Sequence, residues 1–273
     1  MYNRENSALN LNTISSDIDI HLTTHGSDWL WAVFSVFALL TVGHTAYLGY
    51  SFRKGTKNIV VSVPLLVSII FTISYFTYAS NLGWTSTPVE FNHVTTDEEL
   101  GIRQIFYVKF VAWFCAFPLV LTMLEYSVGE IGLDSLFSLL TKVLVMNVFV
   151  VNYLIGSLIK STYKWGYWVF GTFGLLLGIV FVGHSLIRSE KKTIFILGLT
   201  GLQLLIWVLY PVAWGLSEGG NVIQPDSEAV FYGILDLINF GFLPLLFLVF
   251  STKDEIAHEK TTETPRVSGE TAV

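Results

Sequence analysis

The sequence predicts an all-α membrane protein, a bundle of seven transmembrane helices, on three observations. First, 52% of its 273 residues are hydrophobic and only 13% charged, about half the charged share usual in soluble proteins, and the mean hydropathy is +0.60. Such a chain cannot cover a globule with polar surface, so lipid must solvate most of it. Second, seven stretches reach the roughly 20 mostly apolar residues that a membrane crossing needs: 29–52, 58–80, 104–127, 135–158, 165–187, 193–215 and 229–251. Third, the Lys and Arg residues between these stretches are distributed asymmetrically.

Taken in order, residues 1–28 are polar and acidic, with Glu5, Asp17, Asp19 and Asp28 against Arg4. They lack the basic start of a cleavable signal peptide and read as an extracellular segment, with the first apolar stretch directing insertion. The loop after that stretch carries Arg53, Lys54 and Lys57; the loop after the fifth carries Arg188, Lys191 and Lys192; Lys253 follows the seventh. The opposite side holds Arg103, Lys160 and Lys164. Cationic loops stay in the cytosol, so the N-terminus is expected outside and the C-terminus inside. Residues 29–251 then form the transmembrane domain. Residues 252–273 are polar, Thr- and Glu-rich and without apolar periodicity, and read as a disordered cytosolic tail in which Thr261, Thr262, Thr264 and Ser268 could accept phosphate.

Ionisable groups inside membrane helices are functional candidates. Asp236 lies in the middle of the seventh stretch between Leu235 and Leu237. It has no route to water and needs hydrogen-bond donors or a cation, with Lys109 as the candidate. Lys142 and Glu125 lie near the cytosolic boundary, where snorkelling is the simplest expectation; Lys109 could likewise anchor at the outer boundary. Trp207, Tyr210 and Trp214 share one face of the sixth stretch, which Pro211 should kink. With Trp113 and Trp168 they form either a packed core or the walls of a cavity beside Asp236. Glu218 and Glu228 flank a Gly-rich connection, 216–228, and on local grounds are solvated loop acids. The single Cys115 reads as a packed thiol, His44 and His184 as lone histidines without a metal role. Net charge −6 argues against nucleic acid as a partner, and neither a catalytic constellation nor a nucleotide motif is present.

Seven helices, an Asp in the seventh, and Trp207-x-x-Tyr210-Pro211-x-x-Trp214 in the sixth resemble the microbial rhodopsins. Arg103-Gln-Ile-Phe-Tyr107, Ser161-Thr-Tyr-Lys-Trp-Gly-Tyr167, Ala79-Ser-Asn-Leu-Gly-Trp84 and Gly233-Ile-Leu-Asp236 resemble the fungal branch. More specifically, Gly26-Ser-Asp-Trp-Leu-Trp31, Glu90-Phe-Asn-His93, Gly219-Gly-Asn-Val-Ile-Gln-Pro-Asp226 and Arg266-Val-Ser-Gly-Glu-Thr-Ala272 resemble the opsin-related proteins of the yeast thirty-kilodalton heat-shock protein family. The resemblance covers nearly the whole chain.

It implies roles residue by residue. Asp236 matches the counter-ion partner, Glu218 and Glu228 the proton-release pair, Lys109 the third-helix arginine, and Trp113, Trp168, Trp207, Tyr210 and Trp214 the retinal pocket walls. The pigment family's retinal lysine, one turn after the Asp, is replaced by Phe240; neighbouring Asn239 and Gly241 carry no amine, and no Lys occurs between Lys192 and Lys253. A Schiff base needs a primary amine, so covalent retinal on this helix is excluded. The proton-acceptor position is Ala112 and the donor position Met123, neither of which carries protons. The resemblance therefore implies a non-enzymatic, non-pigmented and non-pumping protein without metal or covalent cofactor. It implies a stress-responsive, multi-pass protein of the fungal plasma membrane, associated with restraint of the plasma-membrane proton ATPase. An alternative is a sensor or binder of a small hydrophobic ligand or lipid in the former retinal cavity; a proton or organic-acid channel is a third. Besides the bilayer and that ATPase, the family analogy admits a homo-oligomer.

Overall fold

The structure is a computed structural model that describes residues 6–54, 59–91, 93, 101–128, 133–189 and 193–250. The tail 252–273 with its candidate phosphate acceptors, and Lys57, Lys191, Lys192 and Lys253, lie outside the described residues. Among the described residues, seven helices are long and apolar enough to cross a membrane. After a short α1 (Ser7–Leu11) come α2 (Thr24–Lys54), α3 (Ile59–Ala79), α4 (Val108–Val128), α5 (Leu133–Ser157), α6 (Lys164–Arg188), α7 (Ile194–Trp214) and α8 (Pro225–Asp236). The last is prolonged by a π-helical segment, Leu237–Phe242, so that the seventh span runs Pro225–Phe250. Consecutive spans pack on one another and α8 closes the ring against α2.

Local chemistry sets the boundaries. Thr193 caps α7 by accepting the Ile196 amide, satisfying one of the donors a helix start leaves free. Pro225 occupies the first turn of α8, where its missing N–H costs nothing. α6 approaches α5 through Gly171, Gly174 and Gly178; a Cβ on Gly174 would stand 2.9 Å from the Val145 carbonyl oxygen. Small residues permit such close helix contact where lipid gives no hydrophobic drive between helices.

The N-terminal end of the bundle is more structured than the sequence reading allows. The connection between α3 and α4 contains an antiparallel pair, β1 (Trp84–Pro88) and β2 (Ile102–Phe106), with Trp84 opposite Phe106 and Pro88 opposite Ile102. Residues 104–106, assigned above to the third apolar stretch, are therefore strand, and the helix starts only at Val108. Asn81 and Gly83 adopt positive φ, 57° and 69°. They turn the chain so that the Gly83 carbonyl receives the Val108 amide at 3.1 Å. Ile20 lies parallel beside Arg103, and the Leu22 amide donates to Gln104 Oε1 at 3.0 Å. Residues upstream of α2 are thus strapped across this end. The connection expected at 216–228 shrinks as well. Gly215–Gly219 continues α7 as a π-helical turn, and α8 begins at Pro225.

The buried core is aromatic. Trp113, Trp207 and Trp214 are fully buried, as are Tyr153, Tyr210 and Phe37. Cys115 departs from the expectation of a packed thiol: it is exposed on the outer face of α4.

Candidate functional site: a clamped aspartate above a buried ionic cluster

Asp236 sits in the bundle interior and receives three hydrogen bonds. Tyr75 Oη donates to Oδ2 at 2.7 Å. Trp113 Nε1 and Tyr210 Oη donate to Oδ1 at 2.9 and 2.7 Å. Three helices, α3, α4 and α7, therefore converge on one carboxylate of α8. The phenol oxygen of Tyr210 also accepts from Asn239 Nδ2 at 3.2 Å. Asn239 Oδ1 in turn accepts from Trp207 Nε1 at 2.9 Å and from Gln203. Asn239 lies in the π-helical segment. Such segments often mark functional sites because they rotate one side chain out of the helical register.

Phe240 occupies the same segment and is buried. Its ring stacks on Phe71 at a centroid distance of 4.4 Å and meets Phe117 edge-on at 5.3 Å. Phe117 packs against Trp207 at 5.6 Å and Tyr210 at 6.5 Å. Trp207 and Tyr210, read as cavity walls, are thus linked to Phe240 through Phe117. Trp113, Trp207, Tyr210 and Asp236 come together. Trp168 is half-buried and hydrogen-bonds the Pro211 carbonyl at 3.0 Å. Trp214 turns instead towards α5, donating to Ser157 Oγ at 2.8 Å. Ala112 and Met123 are buried side chains of α4, which bring no titratable group to the interior.

Lys109 does not reach Asp236 as its partner. It pairs with Glu218 at 2.5 Å and with Glu228, and its ammonium lies 4.3 Å from the Tyr232 ring centroid. Arg103 completes the cluster, donating from Nη2 to Glu228 at 2.7 Å and from Nη1 to Asn221 Oδ1 at 2.7 Å and the Ile223 carbonyl at 2.9 Å. Glu218 also accepts from Ser217 and from Tyr232 at 3.2 Å. Lys164 donates to the Glu218 carbonyl at 3.1 Å. Glu218 and Glu228 are not solvated loop acids: both are buried, as are Arg103, Lys109 and Lys164. The cause is the helical continuation of α7 and the strap of residues 6–22, which exclude water and oblige each charge to find a partner.

A second buried pair lies at the opposite end. Lys142 pairs with Glu125 and donates to Ser138 Oγ at 3.0 Å and Ser185 Oγ at 2.6 Å. Neither residue snorkels. α4, α5 and α6 meet there, and the pair satisfies both charges where snorkelling would have had to separate them.

Sequence reasoning did not assign Tyr75, Tyr232, Gln203 or Asn239 to the site, and placed Arg103 and Lys164 at an aqueous boundary. Gln203 and Asn239 were visible as amides inside apolar runs. Tyr75 carried no signal, being one aromatic among many.

A ring of seven helices closed on a donor-clamped Asp is the architecture of rhodopsin-like membrane proteins. The chain belongs to the bacteriorhodopsin-like protein family, whose sequence model matches residues 25–252. Among its relatives, the 30 kDa heat shock protein of Saccharomyces cerevisiae is 37% identical, over 98% of this chain and 92% of its own length. Opsin-like protein carO of Fusarium fujikuroi is 43% identical over 87% of this chain and 78% of its own. In fold it is similar to the light-driven proton pump of Leptosphaeria maculans, with a TM-score of 0.74 at 21% identity over 86% of this chain and 98% of that one. Acetabularia rhodopsin I gives 0.75 at 22% identity, over 89% and 100%.

Proposed function

We propose that this chain is a non-pigmented, non-pumping rhodopsin relative that acts as a stress-responsive regulator in the fungal plasma membrane, N-terminus outside, with the plasma-membrane proton ATPase as its partner. The observation that carries the first half is the packing of Phe240 between Phe71 and Phe117. An aromatic ring, without an amine, fills the position from which the pigment family holds retinal. Pump groups are missing in the same register, at Ala112 and Met123. The ionic cluster, which in a pump would release protons, is here shared among Arg103, Lys109, Glu218 and Glu228. The second half rests on relatedness to a protein named for heat shock and on the family association with the ATPase.

The aromatic contacts through Phe240 weigh against the alternative of a ligand in the former retinal cavity. The channel reading suffers from the apolar stretch that Ala112 and Met123 leave in α4. The test is proton efflux from cells lacking the gene, under acid and heat stress. Efflux should rise relative to wild type when the ATPase is active and revert on re-expression. Equal efflux in both strains refutes the regulator.

A further inference from the structure

Residues 6–23 lie as a strap across the end of the bundle that holds the ionic cluster. The Ile20 amide donates to the Ile102 carbonyl at 3.1 Å, and the Gln104 amide donates to the Ile20 carbonyl at 2.9 Å. The Leu22 amide donates to Gln104 Oε1 at 3.0 Å. Ile18, Ile20 and Leu22 are buried, and Arg103, beside Ile20, is 1% exposed. The strap thus separates water from the Arg103–Glu228 pair.

Three carboxylates pin this strap, at its start, its middle and its end. Asp28 Oδ1 accepts from Asn6 Nδ2 at 3.1 Å. Asp19 Oδ2 accepts from the Ile102 amide at 3.1 Å. Asp226 takes the Thr23 amide on Oδ1 at 2.8 Å and the Thr23 hydroxyl on Oδ2. That last approach needs glycine at position 26, where a Cβ would stand 2.4 Å from Asp226 Oδ1. Asp19 and Asp28 are exposed and Asp226 is half-buried, so protons from the aqueous side reach all three. Among the described residues, the other titratable groups around the pins are His21, His25 and Asp17. His21 Nδ1 lies 3.1 Å from the Leu22 carbonyl, and the His25 amide donates to Thr23 Oγ1 at 3.3 Å. Asp17 takes its hydrogen bond from Ser15, within the strap. Arg103, the cation of β2, turns inward to Glu228.

We propose that residues 6–23 form an acid-released lid over the ionic cluster, latched by Asp19, Asp28 and Asp226. A carboxylate that accepts N–H or O–H bonds loses their charge assistance when it takes a proton, which weakens each latch about three- to fivefold. Aspartates in general titrate near pH 4, so the latches hold at pH 5 and are mostly released at pH 3. The strap's apolar and backbone contacts do not titrate. As pH falls, three independent latches raise the open-to-closed ratio about fifteen- to fortyfold, and water reaches Arg103 and Glu228. Which side of the membrane triggers the lid follows from the outward N-terminus proposed above. Its release is tested in detergent, where one buffer reaches both faces, so a wrong orientation and a failed lid give different results.

The test is hydrogen–deuterium exchange of the full chain, compared as protection factors at pH 5 and pH 3. Imidazoles charge mostly above pH 5, so His21 and His25 stay constant over this interval. Protection of the Ile20, Leu22 and Gln104 amides should fall about fifteen- to fortyfold, while amides in the middle of α4 keep theirs. The triple variant Asp19→Asn, Asp28→Asn and Asp226→Asn keeps the acceptors but cannot titrate. It should already show the low protection at pH 5, change less than about threefold on going to pH 3, and admit carbodiimide labelling of Glu228 that the wild type resists. Each single variant should lose about three- to fivefold at pH 5, which preserves the test if the triple variant misfolds. Asp17→Asn should respond as the wild type does. Equal wild-type protection at the two pH values, α4 amides released together with the strap, a triple variant that still responds to pH, Glu228 left unlabelled in it, or a response abolished by Asp17→Asn would each overturn the proposal.

Discussion

Glu228→Gln and Asp236→Asn remove one negative charge each from the same helix, and the structure assigns them different costs. Glu228 touches two cations, Arg103 at 2.7 Å and Lys109, and all three side chains are no more than 2% exposed. Glutamine preserves the shape but leaves two buried cations to share Glu218. Removing one partner of a buried ion pair costs about 3–5 kcal/mol. Asp236 touches no cation. Its three partners, Tyr75, Trp113 and Tyr210, are neutral donors. Asparagine keeps an acceptor for the two bonds at Oδ1, and the Tyr75 hydroxyl can turn to accept from the new amide. The loss is then the charge assistance of these bonds, about 1–2 kcal/mol. With roughly 2–4 °C of melting temperature per kcal/mol in a chain of this size, Glu228→Gln should melt some 6–20 °C below the wild type and Asp236→Asn some 2–8 °C below. Differential scanning fluorimetry of the purified proteins in one detergent makes the comparison. If Asp236→Asn were the more damaging, the assignment of Lys109 to the two glutamates would be refuted and a direct Lys109–Asp236 pair restored.

Three further outcomes follow from the same contacts. Lys142→Met should strand Glu125 and cost about 3–5 kcal/mol, whereas the double variant Lys142→Met with Glu125→Met should recover most of it, read as a double-mutant cycle of melting temperatures. Gly174→Val should force α6 away from the Val145 carbonyl and cost about 1–3 kcal/mol by overpacking, visible in the same assay. Adding all-trans-retinal to the purified protein should produce no visible absorption band and no borohydride-trapped adduct on the seventh span; an adduct mapped there would refute the non-pigmented reading.

The helices were legible because a span needs only a run of apolar residues, a local property that each stretch of sequence displays by itself. Among the described residues, each of the seven runs holds a spanning helix. What composition could not show was pairing between distant residues. Arg103 and Glu228 are 125 positions apart, and nothing near either one announces the other. Read locally, each looked like a group close to water. The boundaries failed where the backbone departs from the ordinary helix. The π-helical turn at Gly215–Gly219 drew Glu218 out of an expected loop and into the bundle, and β2 took the start of the third apolar run. Asp236 was the easier case, because a carboxylate in mid-membrane demands donors wherever they come from. Its aromatic donors could be proposed by type, though Tyr75 could not be picked out.

The ionic cluster bears on why charges are held inside an apolar bundle. A proton-releasing group must be able to give up and regain its proton without leaving neighbours uncompensated. Here Glu228 is held by two cations at once and Lys109 by two carboxylates, so neutralising any one member exposes the others unpaired in a water-poor interior. Those contacts also join the β2 strand through Arg103, α4 through Lys109, the turn after α7 through Glu218 and α8 through Glu228. Four segments far apart in sequence are thereby fixed at one end of the bundle. Fold maintenance alone is a sufficient reason for these residues to be present. On this argument the cluster should tolerate wholesale replacement by apolar residues of matched volume better than any single substitution within it.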